Sequence, residues 1–227
     1  MNEIKRIKKL ISKIGTDGYK DGSSKKKGFL YHPIPFKEFS NLSTHKTLPA
    51  GKEYDLISKD IGELDNRKVL EIGCANGYFS FNFSRHCDKV VAYEGDKLVW
   101  DVNEAIRVYK GIDNIKFINN YFDDIIVDSV DSDFDVALML NVHMWIYKQL
   151  GASRTLDMIK KLSQKTKVLY FQTAHRGSGG KFKVQELESK EHIREYLYEA
   201  GFSRVEHMLS NEWHGKGKPR ELFKCIR

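Results

Sequence analysis

Apolar positions along this chain recur in two rhythms, one helical and one strand-like. Ile4, Ile7, Leu10, Ile11 and Ile14 fall at helical spacing with lysines opposite, which predicts an amphipathic helix over residues 2 to 14. The polar, glycine-rich stretch GTDGYKDGSSKKKG, residues 15 to 28, reads as a linker or mobile loop. In YHPIPFKEFS, Pro33 and Pro35 hold their predecessors out of the helical region, so this segment is expected to be extended. A helix over residues 50 to 62 should lead into a short apolar strand, Val69 to Ile72, and a second helix, Tyr78 to Arg85. A strand from Lys89 to Tyr93 follows, then a helix from Lys97 to Tyr109, a strand from Ile115 to Ile118 and another from Phe134 to Leu140. The next helix starts at Met144 or Arg154 and ends at Ser163, ahead of a fifth strand from Lys167 to Gln172. A helix from Glu191 to Ala200 stops at Gly201, and strands from Ser203 to Leu209 and Glu221 to Ile226 close the chain. Strands alternating with helices predict an α/β fold, a parallel sheet with helices on both faces.

One junction in this pattern carries chemistry. In VLEIGCANGYFSFNFS, Val69 to Ser84, a buried strand meets a glycine turn and then a helix; Gly73 and Gly77 allow a tight turn and close backbone approach. A ligand should sit at the strand's carboxyl end. A dinucleotide site asks for Gly-x-Gly-x-x-Gly, so that a pyrophosphate rests on the helix N-terminus. Here Glu71 precedes Gly73, three residues separate Gly73 from Gly77, and there is no third glycine. An acidic strand end suits a ligand with positive charge, and S-adenosylmethionine carries a sulfonium and an α-ammonium group. The second strand ends in Glu94, seventeen residues after Gly77. A carboxylate there can bind ribose hydroxyls, or it can simply cap the next helix; Asp96 suits the capping role.

These residues resemble the class I S-adenosylmethionine-dependent methyltransferases, whose first motif is similar to LEIGCANG, and the resemblance covers about residues 66 to 226. It implies a seven-stranded, mostly parallel Rossmann-like sheet with an antiparallel C-terminal hairpin at its edge. It also implies a cofactor set of Glu71, Gly73, Cys74, Ala75, Gly77, Tyr78, Phe79, Glu94, Gly95, Tyr121, Phe122, Asn141 and Val142, with S-adenosylhomocysteine as product. Glu94 would chelate the ribose. Tyr121 stands where such enzymes usually place an adenine-binding Asp, so Asn120, Phe122 or Asp123 replaces that contact or the adenine is held by packing. LNVHMWIYKQLG, Leu140 to Gly151, and KPRELFKC, Lys218 to Cys225, resemble the phosphate-methylating enzymes that act on RNA 5′ ends and on O-antigen terminal phosphates. The polysaccharide enzymes carry a His-His pair where this chain has Met144-Trp145.

Residues after the fourth and fifth strands are the catalytic candidates: His143, Tyr147 and Arg176. A hydroxyl acceptor needs a base, and His143 is the candidate with a suitable ordinary pKa. An anionic phosphate oxygen needs no base but asks for Arg, Lys, His or Tyr donors, among them His175, Arg176, Lys216, Lys218 and Arg220. In either case much of the barrier falls by holding the acceptor in line with the methyl group.

A chain of 227 residues with 41% hydrophobic content can bury a full core. Residues 50 to 227 are expected to form the catalytic domain. Residues 1 to 49 form a basic helix, a linker and a segment, Tyr31 to Phe36, that either closes as a lid or anchors the arm by its aromatics. No apolar run approaches the roughly 20 residues of a membrane span, and the lysine-rich start lacks the apolar core of a signal peptide. Cys74, Cys87 and Cys225 have no metal or redox spacing, and His207 and His214 lack the clustered spacing of a zinc site, so no metal and a cytoplasmic setting are expected. The formal charge is +7, with +6 over residues 1 to 28 and +4 over residues 214 to 227, leaving −3 for the remainder. Basic ends suit an anionic partner: a phosphorylated glycan or metabolite, a lipid surface or nucleic acid. Methylation of RNA at a phosphate or ribose, and a catalytically silent module that only binds cofactor or partner, are the alternatives to an O-methyltransferase of glycans or small molecules.

Overall fold

The computed structural model describes residues 2–14, 30–42, 50–175, 184, 187–212 and 219–227. Its seven strands are β1 (Lys68–Ile72), β2 (Lys89–Glu94), β3 (Ile115–Asn119), β4 (Phe134–Leu140), β5 (Thr166–Thr173), β6 (Arg204–Glu212) and β7 (Pro219–Ile226). They form one sheet in the order β3-β2-β1-β4-β5-β7-β6. β2 pairs with β3, β1 with β4 and β4 with β5 in parallel, whereas β7 runs antiparallel to both β5 and β6. The α/β sheet with a closing antiparallel hairpin is therefore as expected from the alternation of elements and the family resemblance. Strands β1 and β4 are buried along nearly their whole length, which is why they read as continuous apolar runs rather than alternating ones.

By its internal contacts the chain forms two compact units, one of residues 1–66 and 74–120, the other of residues 67–73 and 121–227. In the first, helix α1 (Glu3–Ile11) buries Ile7 and Ile11 completely and packs on α4 (Lys97–Lys110). Helix α4 is well bounded. Asp96 Oδ1 accepts from the backbone N–H groups of Leu98 and Val99, and Gly111 ends the helix in the left-handed region at φ 62°. Helix α2 (Ala50–Ile61) matches expectation, and the short α3 (Tyr78–Phe83) contributes Phe79, Phe81 and Phe83 to the core.

The proline segment is extended only in part, because Lys37–Phe39 turns into a 3-10 helix. Its aromatics anchor it. Phe36 meets Phe81 edge-on at 5.3 Å, Phe39 is buried, Arg85 Nη2 donates to the Pro35 carbonyl at 2.8 Å and Lys110 pairs with Glu38 at 2.9 Å.

In the second unit the helix expected to begin at Met144 or Arg154 is two helices, α6 (His143–Leu150) and α7 (Ala152–Ser163). Gly151 separates them at φ 81°, a backbone value that breaks the helical run. A one-turn helix α5 (Ile126–Ser129) has no counterpart in the sequence reading, and Asp123 Oδ1 accepts from Ile125 N and Ile126 N at its start. Helix α8 (Lys190–Glu199) is capped by Ser189. Among the described residues no helix is long and apolar enough to cross a membrane.

Candidate functional site

In the first unit, the turn after β1 is built from both of its flanks. Cys74 N donates to the Tyr93 carbonyl at 3.0 Å, and Gly77 N closes the turn on the Cys74 carbonyl at 2.9 Å. Ala75 and Gly77 both lie in the left-handed region, at φ 46° and 73°. For alanine that conformation costs about 1–2 kcal/mol, so the surroundings must hold it. A Cβ on Gly77 would come within 2.8 Å of the Phe81 ring, which explains glycine there.

Glu94, at the carboxyl end of β2, reaches the same turn. Its Oε1 accepts from Asp96 N at 2.8 Å. Burial pushes its carboxyl up to about 7, although hydrogen bonds from the Asp96, Ala75 and Gly95 backbones pull the other way. It is not the helix cap, a role that belongs to Asp96. Tyr78 is half-buried, ring to ring with Tyr54 at 6.2 Å, and Phe79 is buried.

Two asparagines that the sequence reading passed over complete this region. Asn103 on α4 donates through Nδ2 to the Ala75 carbonyl at 2.7 Å. Asn76, inside the turn, accepts through Oδ1 from His32 N at 3.1 Å and donates back through Nδ2 to the His32 carbonyl. The only signal for Asn103 was a polar residue on the apolar stripe of a predicted helix.

The second unit contains Glu71, buried on β1, and Gly73 at φ 71°. A Cβ on Gly73 would meet Val142 Cγ2 at 2.6 Å. The need for glycine thus comes from Val142 within the fold. Asn141 also adopts the left-handed region, at φ 59°. Its N–H donates to the Gln172 carbonyl at 3.0 Å and its Nδ2 donates to Gln172 Oε1. Tyr121 is exposed and Phe122 is buried.

His143 lies in the core. It has no exposure, its Nδ1 lies 3.0 Å from Thr173 Oγ1 and its Nε2 3.2 Å from Tyr196 Oη. Burial alone pushes its pKa down to about 3, so it stays neutral and both nitrogens are engaged. The stretch around it is helix α6, one residue from the earlier of the two expected starts, which leaves Trp145 exposed and Tyr147 half-buried with its ring 6.1 Å from that of His143. Arg176, Lys216 and Lys218 lie outside the described residues.

A further cluster surrounds Glu221 on β7, paired in register with Thr173 at the end of β5. The buried carboxylate accepts from Ser210 Oγ at 2.6 Å and lies 2.6 Å from His207 Nε2 and 3.7 Å from His175 Nε2. His175 Nδ1 donates to the Glu188 carbonyl at 3.1 Å. It is not a nucleophile relay, because Ser210 gives its proton to the carboxylate and His207 meets both partners through one nitrogen. Among the described residues no group of three His, Cys, Asp or Glu side chains is arranged to hold a metal. The cysteines are all free and buried.

No protein-family model matches this sequence, and no curated protein matches it either. Solved structures do share its fold. The bifunctional kinase-methyltransferase WbdD superposes with a TM-score of 0.72 at 16% identity, over 87% of this chain and 43% of that one. The N-terminal domain of EvdMO1, crystallised in the presence of SAH and D-fucose, matches over 100% of this chain and 97% of that chain, with a TM-score of 0.67 and 12% identity. A SAM-dependent methyltransferase from Aquifex aeolicus matches at a TM-score of 0.57 and 17% identity, covering 79% and 94%. This chain spans less than half the length of the WbdD chains. The fold is the Rossmann-like one of class I SAM-dependent methyltransferases.

Proposed function

We propose that the protein is a methyltransferase that uses S-adenosylmethionine to methylate an oxygen of an anionic acceptor, with a phosphate-bearing glycan or metabolite as the favoured class. The observation that carries the donor assignment is the Cys74–Gly77 turn with the Glu94 carboxyl beside it. Glu94 has acceptor capacity beyond its backbone contacts, since a carboxylate offers about four lone-pair positions, and a ribose diol supplies the donors. A desolvated carboxyl also gains most from such donors. Glu71, Gly73, Cys74, Ala75, Gly77, Tyr78, Phe79, Glu94, Gly95, Tyr121, Phe122, Asn141 and Val142 remain the proposed cofactor set. When bound, the cofactor supplies an electrophilic methyl group. The chain's own contribution is to hold the turn and orient the acceptor.

Burial of His143 favours phosphate over an alcohol as acceptor. A neutral imidazole between two hydroxyls has no route to an acceptor proton, whereas a phosphate oxygen is already a nucleophile and needs only positioning donors. Tyr147 and Arg176 remain proposed in that role. That the N-terminal domain of EvdMO1, a neighbour by fold, was crystallised in the presence of SAH and D-fucose supports a sugar-containing acceptor only by likeness of fold.

Calorimetry with S-adenosylmethionine and S-adenosylhomocysteine, with NAD as control, tests the donor assignment. Micromolar binding of the first two and none of NAD is expected; a folded protein that binds neither contradicts it.

A further inference from the structure

We propose that Asn103 is a positioning residue that preforms the cofactor turn, acting through Ala75 without touching the cofactor itself. The proposal rests on the donor assignment above and names a residue outside that set. Asn103 sits at the middle of α4, on a face whose other buried members are Val99, Val102, Ala105 and Ile106. It is completely buried. Its Nδ2 donates to the Ala75 carbonyl at 2.7 Å and lies 3.7 Å from Cys74 Sγ. Its Oδ1 is buried without a hydrogen-bond partner among the described residues.

A half-satisfied amide is a poor choice for stability. It gains one hydrogen bond and forfeits the solvation of its other end, so the two contributions roughly cancel. An apolar side chain would fit that helix face better. What the amide provides is local: it fixes the carbonyl of the one non-glycine residue in the turn that is held in the left-handed region, Ala75 at φ 46°. The Glu94 side chain stands on the other side of the turn, where its Oε1 accepts from Asp96 N at 2.8 Å and the Ala75 backbone favours its charge. Ala75 is thus flanked by polar side chains from separate elements, Asn103 of α4 on its carbonyl and Glu94 of β2 beside its backbone. A turn ordered before the ligand arrives does not lose that entropy on binding, and departures from local consistency of this kind tend to mark functional sites.

The test replaces Asn103 with Leu and, separately, with Asp, which keeps the shape and, once ionised at high pH, cannot donate to a carbonyl. S-adenosylhomocysteine affinity is measured by calorimetry, the melting midpoint by scanning calorimetry, and amide exchange of residues 74–77 by hydrogen–deuterium exchange without ligand. The expected result for Asn103→Leu is a Kd raised about tenfold or more, a midpoint within about 4 °C of wild type, and faster exchange in the turn. Unchanged affinity in either folded variant overturns the proposal. So does an affinity loss that only accompanies a large drop in the midpoint and vanishes on cooling, because that is a purely structural role. Should the Leu variant fail to fold, the Asp variant carries the same comparison. If wild type does not bind the ligand, the donor assignment fails, and the exchange rates alone decide whether Asn103 orders the turn.

Discussion

Glu94 and His143 are both ionisable, both desolvated and both placed next to the carboxyl end of a strand, yet burial leaves them in opposite conditions. Desolvation disfavours the charged form in each case. For a carboxyl, that raises the pKa, and Glu94 arrives at about 7, where it changes charge near neutrality. For an imidazole it lowers the pKa, and His143 falls to about 3 and stays neutral. Their partners differ too. Glu94 is surrounded by backbone N–H groups that favour its charge, whereas His143 sits between two hydroxyls that suit a neutral ring. The same physics leaves one residue able to change charge near neutrality and makes the other a fixed neutral part of the core.

The largest expected effect breaks the frame that presents the site. Gly73→Ala should cost about 2–5 kcal/mol, combining the left-handed backbone with overpacking against Val142. Denaturant unfolding measures it, and pairing it with Val142→Ala should restore only the packing part.

Next comes the fixed side of the comparison. His143→Ala should cost about 2–4 kcal/mol, since it opens a cavity and strands the Thr173 and Tyr196 hydroxyls. Unfolding curves report this loss, and the wild-type imidazole should show no titration between pH 5 and 9 by NMR.

On the responsive side, Glu94→Ala should weaken S-adenosylhomocysteine binding by about 1.5–3 kcal/mol, the range for hydrogen bonds to a charged group. Stability gives a second readout with a definite sign. A carboxyl whose folded pKa is raised contributes stability that is fully present below its unfolded value near 4.5 and lost as pH rises through about 7. Glu94→Gln should therefore flatten the decline between those limits, so that the variant gains on wild type from pH 5 to pH 8; parallel curves would contradict this.

The smallest effect lies at the surface. Arg154 and Asp124 form a two-pronged pair at 2.8 and 2.6 Å, but Arg154 is exposed, so Arg154→Ala should barely move the denaturant midpoint, and less still in high salt.

The strand-turn-helix at Val69–Ser84 was legible because glycine spacing and an apolar run report backbone geometry directly. Glu94 was legible for a similar reason, since it ends a strand at a fixed distance. His143 was legible only in part, because its spacing after β4 showed that it stands near a strand end but not that α6 begins there and turns its ring into the core. Gly151 carried a signal for the break between α6 and α7, yet a lone glycine inside a helical pattern does not state its φ. Asn103 and the Glu221 cluster were hidden for a different reason: their partners lie 28 and between 11 and 46 positions away, a tertiary pairing that no local periodicity encodes.

The central claim is that Glu94 is the carboxylate to which the cofactor's ribose donates. It is most directly tested by measuring S-adenosylhomocysteine affinity from pH 5.5 to 8.5 in wild type and in Glu94→Gln. The account predicts that wild-type affinity climbs as pH rises through about 7, where the carboxyl ionises, and that the variant is weaker and flat across the same range. A flat wild-type profile, or an equal slope in the variant, would contradict it.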